Sequence, residues 1–306
     1  MRKRKIAIVV TTYRRNHGLL GLVKQLRELR DAYMGPNEYS LHVTDSDPRN
    51  EIEATLVAQG VDYVINPGSG FDDNLLSFYD RLHRRDIDYV LSMSDDDRIA
   101  ADEPKALSKL DAALDVAFDA YLFNHRGFRV SPIGVRLDGP AYYSPMVASF
   151  TPLQLKDMSL GLLPRHIGLV YSVAFLLRHR PTWSRFRGTQ HLYAAPFLIA
   201  CCNQSASFIN ESLFWFHQDV HEDGAWSNWA EVFQGLVRFL QALRAVIPAE
   251  AYATAENGFF ANYLGEHAWL RGMVSSRVVL PSIVELKNQL QEPLGVEMES
   301  WNVVLD

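Results

Sequence analysis

The chain has 306 residues, 48% of them hydrophobic and 22% charged, a composition that folds around a sizeable core rather than staying disordered. Its net charge of −6 lacks the basic footprint of a nucleic-acid binder, so nucleic acid is not an expected partner. No apolar run approaches the ~18 residues of a membrane span, and the run behind Arg2-Lys3-Arg4-Lys5 stops at Val10, short of the roughly 7–15 residues of a signal-peptide core.

The first 125 residues alternate strand and helix signals. Ile6 to Val10 is continuously apolar, as in a strand buried on both faces. Leu19, Leu22, Val23, Leu26 and Leu29 follow at helical spacing. Tyr39 to Val43 reads as a second strand, Ile52 to Val57 as a short helix and Val61 to Ile65 as a third strand. After the turn-rich Asn66-Pro67-Gly68-Ser69-Gly70 comes a helix over 73–85, then a strand at Asp88 to Leu91. A helix over 104–118 and a strand at Ala120 to Phe123 complete this half. Such βα alternation predicts a mostly parallel sheet flanked by helices, with ligands beyond the strands' carboxyl ends.

From 126 to 224 the pattern is mixed: a hairpin and loop over 126–143, a helix over 153–163, a strand over 168–174, an apolar helix over 188–202 and a strand over 211–217. The stretch 225–306 is strongly helical. The organisation expected is a nucleotide-binding α/β half (1–125), a second half of the same domain (126–224) and a helical C-terminal extension (225–306). Cys201 and Cys202 are adjacent and form no ordinary staple together, which fits a reducing compartment such as the cytoplasm.

The sharpest chemical signal is Leu91-Ser92-Met93-Ser94-Asp95-Asp96-Asp97, an apolar strand running into three carboxylates. Adjacent carboxylates repel unless a positive charge sits among them. A hard divalent cation, Mg²⁺ or Mn²⁺, suits their oxygens, with substrate phosphates filling the remaining positions; a solvated acidic turn is the plainer alternative.

Four segments in order resemble glycosyltransferase family 2, a GT-A fold family. Val10-Thr11-Thr12-Tyr13-Arg14 is similar to its Pro-Thr-Tyr-Asn segment, and Val43-Thr44-Asp45-Ser46-Asp47 to its Val-Asp-Asp-Gly-Ser segment. Asn66 to Asn74 resembles its Asn-x-Gly…Asn stretch, and Asp95-Asp96-Asp97 stands where its Asp-x-Asp motif falls. The Gly70-Phe71-Asp72-Asp73-Asn74 run and the triple aspartate look most like bacterial abequosyltransferases, which decorate surface polysaccharides.

The resemblance implies a Rossmann-like GT-A sheet and a metal-dependent, inverting transfer of a hexosyl or deoxyhexosyl group. The donor would be a nucleotide sugar and the acceptor a glycan or a polyprenyl-diphosphate-linked sugar. It places Thr11, Tyr13 and Asp45 around the base, Asn74 and Asp95 toward the nucleotide, and Asp96 or Asp97 on Mn²⁺ or Mg²⁺. Asn74 also reads as a helix cap, Tyr13 as a core aromatic and Asp45 as a turn cap.

The family's Glu-Asp pair is missing where its catalytic base is expected. His191 occupies that region, as a base or as a hydrogen-bonded histidine at a helix start. His217 and His221 are candidates to close over the metal or diphosphate, with Asp219 as a reserve base. His166 reads as part of a surface loop or of a segment bordering the acceptor. The basic N-terminus adds an expectation of peripheral contact with anionic lipid at the inner face of the membrane. Two other classes fit the acidic site: a sugar nucleotidyltransferase, which lacks here its compact glycine-rich phosphate loop, and a non-catalytic nucleotide-sugar-binding subunit.

Overall fold

The computed structural model describes residues 3–47, 49, 51–66, 70–100, 105–131, 134–138, 149–155, 166–217 and 229–255. The N-terminal half runs β1 (Lys5–Thr12), α1 (Asn16–Ala32), β2 (Glu38–Asp45), α2 (Glu53–Ala58), β3 (Asp62–Ile65), α3 (Phe71–Arg81), β4 (Tyr89–Ser94), β5 (Arg98–Ile99) and α4 (Ala106–Leu114). It continues with β6 (Ala120–Ser131), β7 (Gly134–Asp138), β8 (Leu169–Ser172), α5 (Val173–Arg178), α6 (Arg180–Trp183), α7 (Ala195–Cys202), β9 (Ala206–His217) and α8 (Trp229–Arg244).

Among the described residues one sheet holds all these strands, in the order β3-β2-β1-β4-β8-β6-β9-β5, with β7 folded back on β6. The first four pair in parallel, and β8 then joins β4 antiparallel, Tyr89 opposite Ser172 and Ser92 opposite Leu169. Both faces are covered. Ile6, Ile8 and Val10 of β1 pack with Leu19, Leu22, Val23 and Leu26 of α1. Ala7 and Val9 turn the other way, into a cluster with Leu75, Phe78 and Tyr79 of α3. An unbroken apolar strand is what a doubly covered parallel sheet needs.

Two sequence-based readings differ. Of the helix expected over 153–163 only residues 153–155 are described, Leu155 in a 3₁₀ turn, with Pro152 just before them bridging antiparallel to Ser207. The helix expected from Gly188 begins only with a 3₁₀ turn at Leu192–Ala194, because backbone N–H groups there bind a distant carboxylate. His166 is half-buried rather than a free surface residue, its ring packed against Phe71 and Tyr193 and its ring nitrogens turned inward. Of the C-terminal extension, α8 joins the main core through Leu236, Phe239, Leu240 and Leu243.

Candidate active site at the carboxyl ends of the parallel strands

β1, β2 and β4 end side by side, with Thr11 opposite both Thr44 and Ser94 and Thr12 opposite Asp45. The residues that follow those strands therefore gather on one rim. The Thr12 hydroxyl donates to Asp95 Oδ2 at 2.6 Å. Arg15 Nη1 bridges the cluster, donating to Asp95 Oδ1 at 3.1 Å and to Asp96 Oδ2 at 2.7 Å. The positive charge required among the aspartates is thus partly supplied by the chain itself, from a loop where Arg14 adopts φ 59°. Gly18, in the first turn of α1, lies close enough to this segment that a Cβ there would stand 3.2 Å from the Asp95 carbonyl oxygen.

The three carboxylates are not equivalent. Asp95 is buried, and that burial pushes its pKa up to about 6 against the pull of Arg15. Asp97 folds back to accept from the Ser94 backbone N–H at 2.8 Å, and burial raises its pKa well above the ordinary carboxylate range. Asp96 keeps a partly exposed side chain, the outermost of the three.

On the β2 side Asp45 is buried, accepting from the Asp47 N–H at 2.7 Å and from the Tyr63 hydroxyl; burial raises its pKa. Tyr13 is 44% exposed beneath the Arg14 guanidinium, 4.7 Å from the ring centroid, so it is not a core aromatic. Thr11 is buried within the sheet. Asn74 does not cap α3, whose N-cap is Gly70. Its side chain instead accepts from Asn66 at 2.8 Å and donates to the Ser46 hydroxyl at 3.1 Å, tying the ends of β2 and β3 to the start of α3.

Asp72, beside it, was not among the residues the sequence singled out. It accepts from the Gln190 N–H at 2.7 Å, the Leu192 N–H at 3.2 Å and the Thr189 hydroxyl at 3.3 Å. Burial raises its pKa to about 6, opposed by those hydrogen bonds. This clamp holds Gln190 at φ 61° and fixes His191. His191 is only 2% exposed, with Nδ1 3.4 Å from the Tyr193 hydroxyl and its ring against Phe239. It is a packed residue of the core beside α8.

β5 pairs antiparallel with β9, Arg98 opposite Trp215. His217 ends β9 opposite Phe128 of β6, its ring packed 5.0 Å from that of Phe128. Asp219 and His221 lie outside the described residues. Among the described residues no three His, Cys, Asp or Glu side chains converge as a ready-made metal cage. The donor chemistry nonetheless fits a hard divalent cation, which commonly takes one or two carboxylates and completes its shell with water and substrate phosphate. The cleft lined by Arg4, Arg85, Asp88 and Tyr89 opens at the amino ends of the strands, away from this chemistry.

The fold is that of the GT-A glycosyltransferases. No protein-family model matches the chain, and no curated protein matches its sequence. Solved structures do match in three dimensions. TarS residues 1–349 from S. aureus in complex with UDP-GlcNAc superposes with a TM-score of 0.66 at 15% identity, covering 94% of this chain and 81% of that one. The same protein with UDP gives 0.56 at 14% identity, covering 88% and 79%. The mannosyltransferase PcManGT from Pyrobaculum calidifontis, in complex with GDP-Man and Mn²⁺, gives 0.55 at 13% identity, covering 99% and 84%. Among the described residues no helix is long and apolar enough to cross a membrane.

Proposed function

We propose that this chain is a metal-dependent glycosyltransferase that moves a hexosyl or deoxyhexosyl group from a nucleotide sugar to a glycan or lipid-linked acceptor. The observation that carries the reading is the gathering of Asp45, Asp95 and Asp96 at the carboxyl ends of the parallel strands, with Arg15 bridging the last two. Tyr13 offers an exposed ring to the base, and Asp45 has lone pairs for a base N–H beyond those engaged by Asp47 and Tyr63. Asp96 and Asp97, with His217, would hold Mn²⁺ or Mg²⁺. Bound there, the cation would supply Lewis-acid neutralisation of charge on the departing diphosphate.

An inverting displacement breaks the bond from the anomeric carbon to the diphosphate as the acceptor oxygen forms its own. The acceptor's proton then needs a base. His191 and Asp219 are the side chains we put forward, His191 lying between the two residues whose N–H groups Asp72 binds. Similarity of the Gly70–Asn74 run to abequosyltransferases favours surface-polysaccharide synthesis at the inner face of a bacterial membrane.

The test is release of nucleoside diphosphate from a panel of UDP-, GDP- and CDP-sugars with Mn²⁺ or Mg²⁺, then EDTA, beside Asp96→Asn. Asp96 is chosen because its carboxylate is partly exposed, whereas Asp97 is folded into its own turn. Metal-dependent release lost in the variant is expected. Absence of both turnover and nucleotide binding would overturn the proposal.

A further inference from the structure

Residue 166 stands three positions before β8, and β8 is the antiparallel neighbour of β4. An antiparallel strand delivers to the rim the residues that precede it, not those that follow. Beyond Ser92 opposite Leu169 the segment before β8 runs toward the end of β4 that the aspartates follow, and the Asp96 charge lies within reach of the His166 ring. The approach is tightly fixed. Gly168 has φ +73°, its carbonyl accepts from the Phe123 N–H at 2.8 Å, and a Cβ there would lie 2.9 Å from the Phe123 carbonyl oxygen.

The imidazole is packed edge-on to Phe71, with centroids 4.8 Å apart, and lies against Tyr193 at 5.2 Å. Among the described residues neither ring nitrogen meets a hydrogen-bond partner, and both are turned away from bulk solvent. Burying such atoms unpaired is costly, and an orphaned polar group in a native site calls for an explanation. Nothing in the packing of Phe71 and Tyr193 needs a nitrogen; a phenyl ring would fill the same niche. Burial also keeps the ring neutral, its pKa pushed down to about 3 even with the Asp96 charge within reach. A neutral imidazole offers one donor and one acceptor, which is the complement of a hydroxyl group.

We infer that His166 hydrogen-bonds a sugar hydroxyl at the reacting centre, so that the partner its nitrogens lack arrives with substrate. This rests on the glycosyltransferase reading above. The hydroxyl belongs either to the sugar of the donor or to the acceptor; the chemistry is common to both. Its energetic signature is distinctive, because a residue kept for substrate at the expense of the fold shows stability and activity moving in opposite directions.

The test compares wild type with His166→Phe and His166→Gln. Melting temperature, affinity for UDP and GDP with Mn²⁺, donor hydrolysis, and transfer to a panel of p-nitrophenyl glycosides are measured. His166→Phe is expected to melt at or above the wild-type temperature and to bind bare nucleotide within twofold. Its turnover should fall more than tenfold, and His166→Gln should recover part of that loss through its amide. If the hydroxyl is the donor's, the Phe variant loses the extra affinity of nucleotide sugar over nucleotide. If it is the acceptor's, that difference survives and KM for the glycoside rises instead.

Turnover of His166→Phe within twofold of wild type would overturn the inference, as would an equal fall in bare-nucleotide affinity. Should the Phe variant not fold, His166→Leu, whose side chain has no hydrogen-bonding atom, decides in its place. Turnover within twofold then refutes the role, and a tenfold loss with unchanged melting and nucleotide binding supports it. Failure of the wild-type protein to bind either nucleotide removes the glycosyltransferase reading and this inference together.

Discussion

Replacing Gly168 with alanine tests the geometry that brings β8 to the rim, and Gly60→Ala supplies its control. Both glycines have left-handed backbones, φ +73° and +74°. A Cβ at Gly60 would meet nothing within 4 Å, whereas at Gly168 it would lie 2.9 Å from the Phe123 carbonyl oxygen and 3.3 Å from the Phe214 ring. Phe123 and Phe214 are both fully buried, and β6 is an interior strand, so neither neighbour can give way cheaply. A left-handed conformation costs an L-residue roughly 1–2 kcal/mol, offset by about 0.4–1 kcal/mol of lost unfolded-chain entropy. Gly60→Ala should therefore destabilise by about 0–1.6 kcal/mol. Overpacking adds roughly 1–3 kcal/mol, so Gly168→Ala should cost about 1–4.6 kcal/mol in all. Urea denaturation with linear extrapolation reads both, at unchanged m-value. Equal costs for the two variants would refute the close approach of Gly168 to β6, and with it the fixed placement of His166.

Two further outcomes follow from the rim. Arg15→Gln removes the guanidinium shared by Asp95 and Asp96. It should destabilise the protein at pH 7 by about 1.5–3 kcal/mol, the range for hydrogen bonds to charged groups. It should also raise the affinity of the nucleotide-free protein for Mn²⁺, read by paramagnetic titration; unchanged stability and metal affinity would deny Arg15 its bridging place. Asp72 has a folded-state pKa of about 6, above its ordinary value of 3.8. Native protein thus binds the Asp72 proton more readily than unfolded chain, and its contribution to stability grows as pH falls from about 6 toward 4. Asp72→Asn lacks that gain, so the stability of the variant relative to wild type should decline by up to ~1.4 kcal/mol per pH unit across that window, by denaturation at several pH values. A difference flat with pH would contradict the raised pKa.

The sheet of the N-terminal half was legible because its signals are local. Ile6 to Val10 is apolar on consecutive residues, and the stripe from Leu19 to Leu29 has the helical period, so neither needs knowledge of a partner. The aspartate run announced its chemistry in the same way. What escaped was long-range. Arg15 is ordinary in sequence until its contacts with residues 80 and 81 positions away make it the cation of the cluster. Asp72 reaches 118 residues along the chain to take the N–H of Gln190, which is why the helix expected from Gly188 starts late. His166 follows Pro164 and Arg165, a polar setting that reads as loop; its burial comes from Gly168 locking against β6. A left-handed glycine directly before a strand is the one local signal that hinted at it.

The position of β8 between β4 and β6 also shapes how the protein comes into being. Until β8 exists, one edge of β4 has no neighbour, and β8 begins at Leu169, long after β4 ends at Ser94. A chain emerging at about 5–20 residues/s leaves that edge bare for roughly 4–15 s. An unpaired apolar edge is a template for pairing with other chains. The nascent N-terminal half therefore presents that edge until β8 is made, and the strand that ends the exposure is the one that His166 shortly precedes.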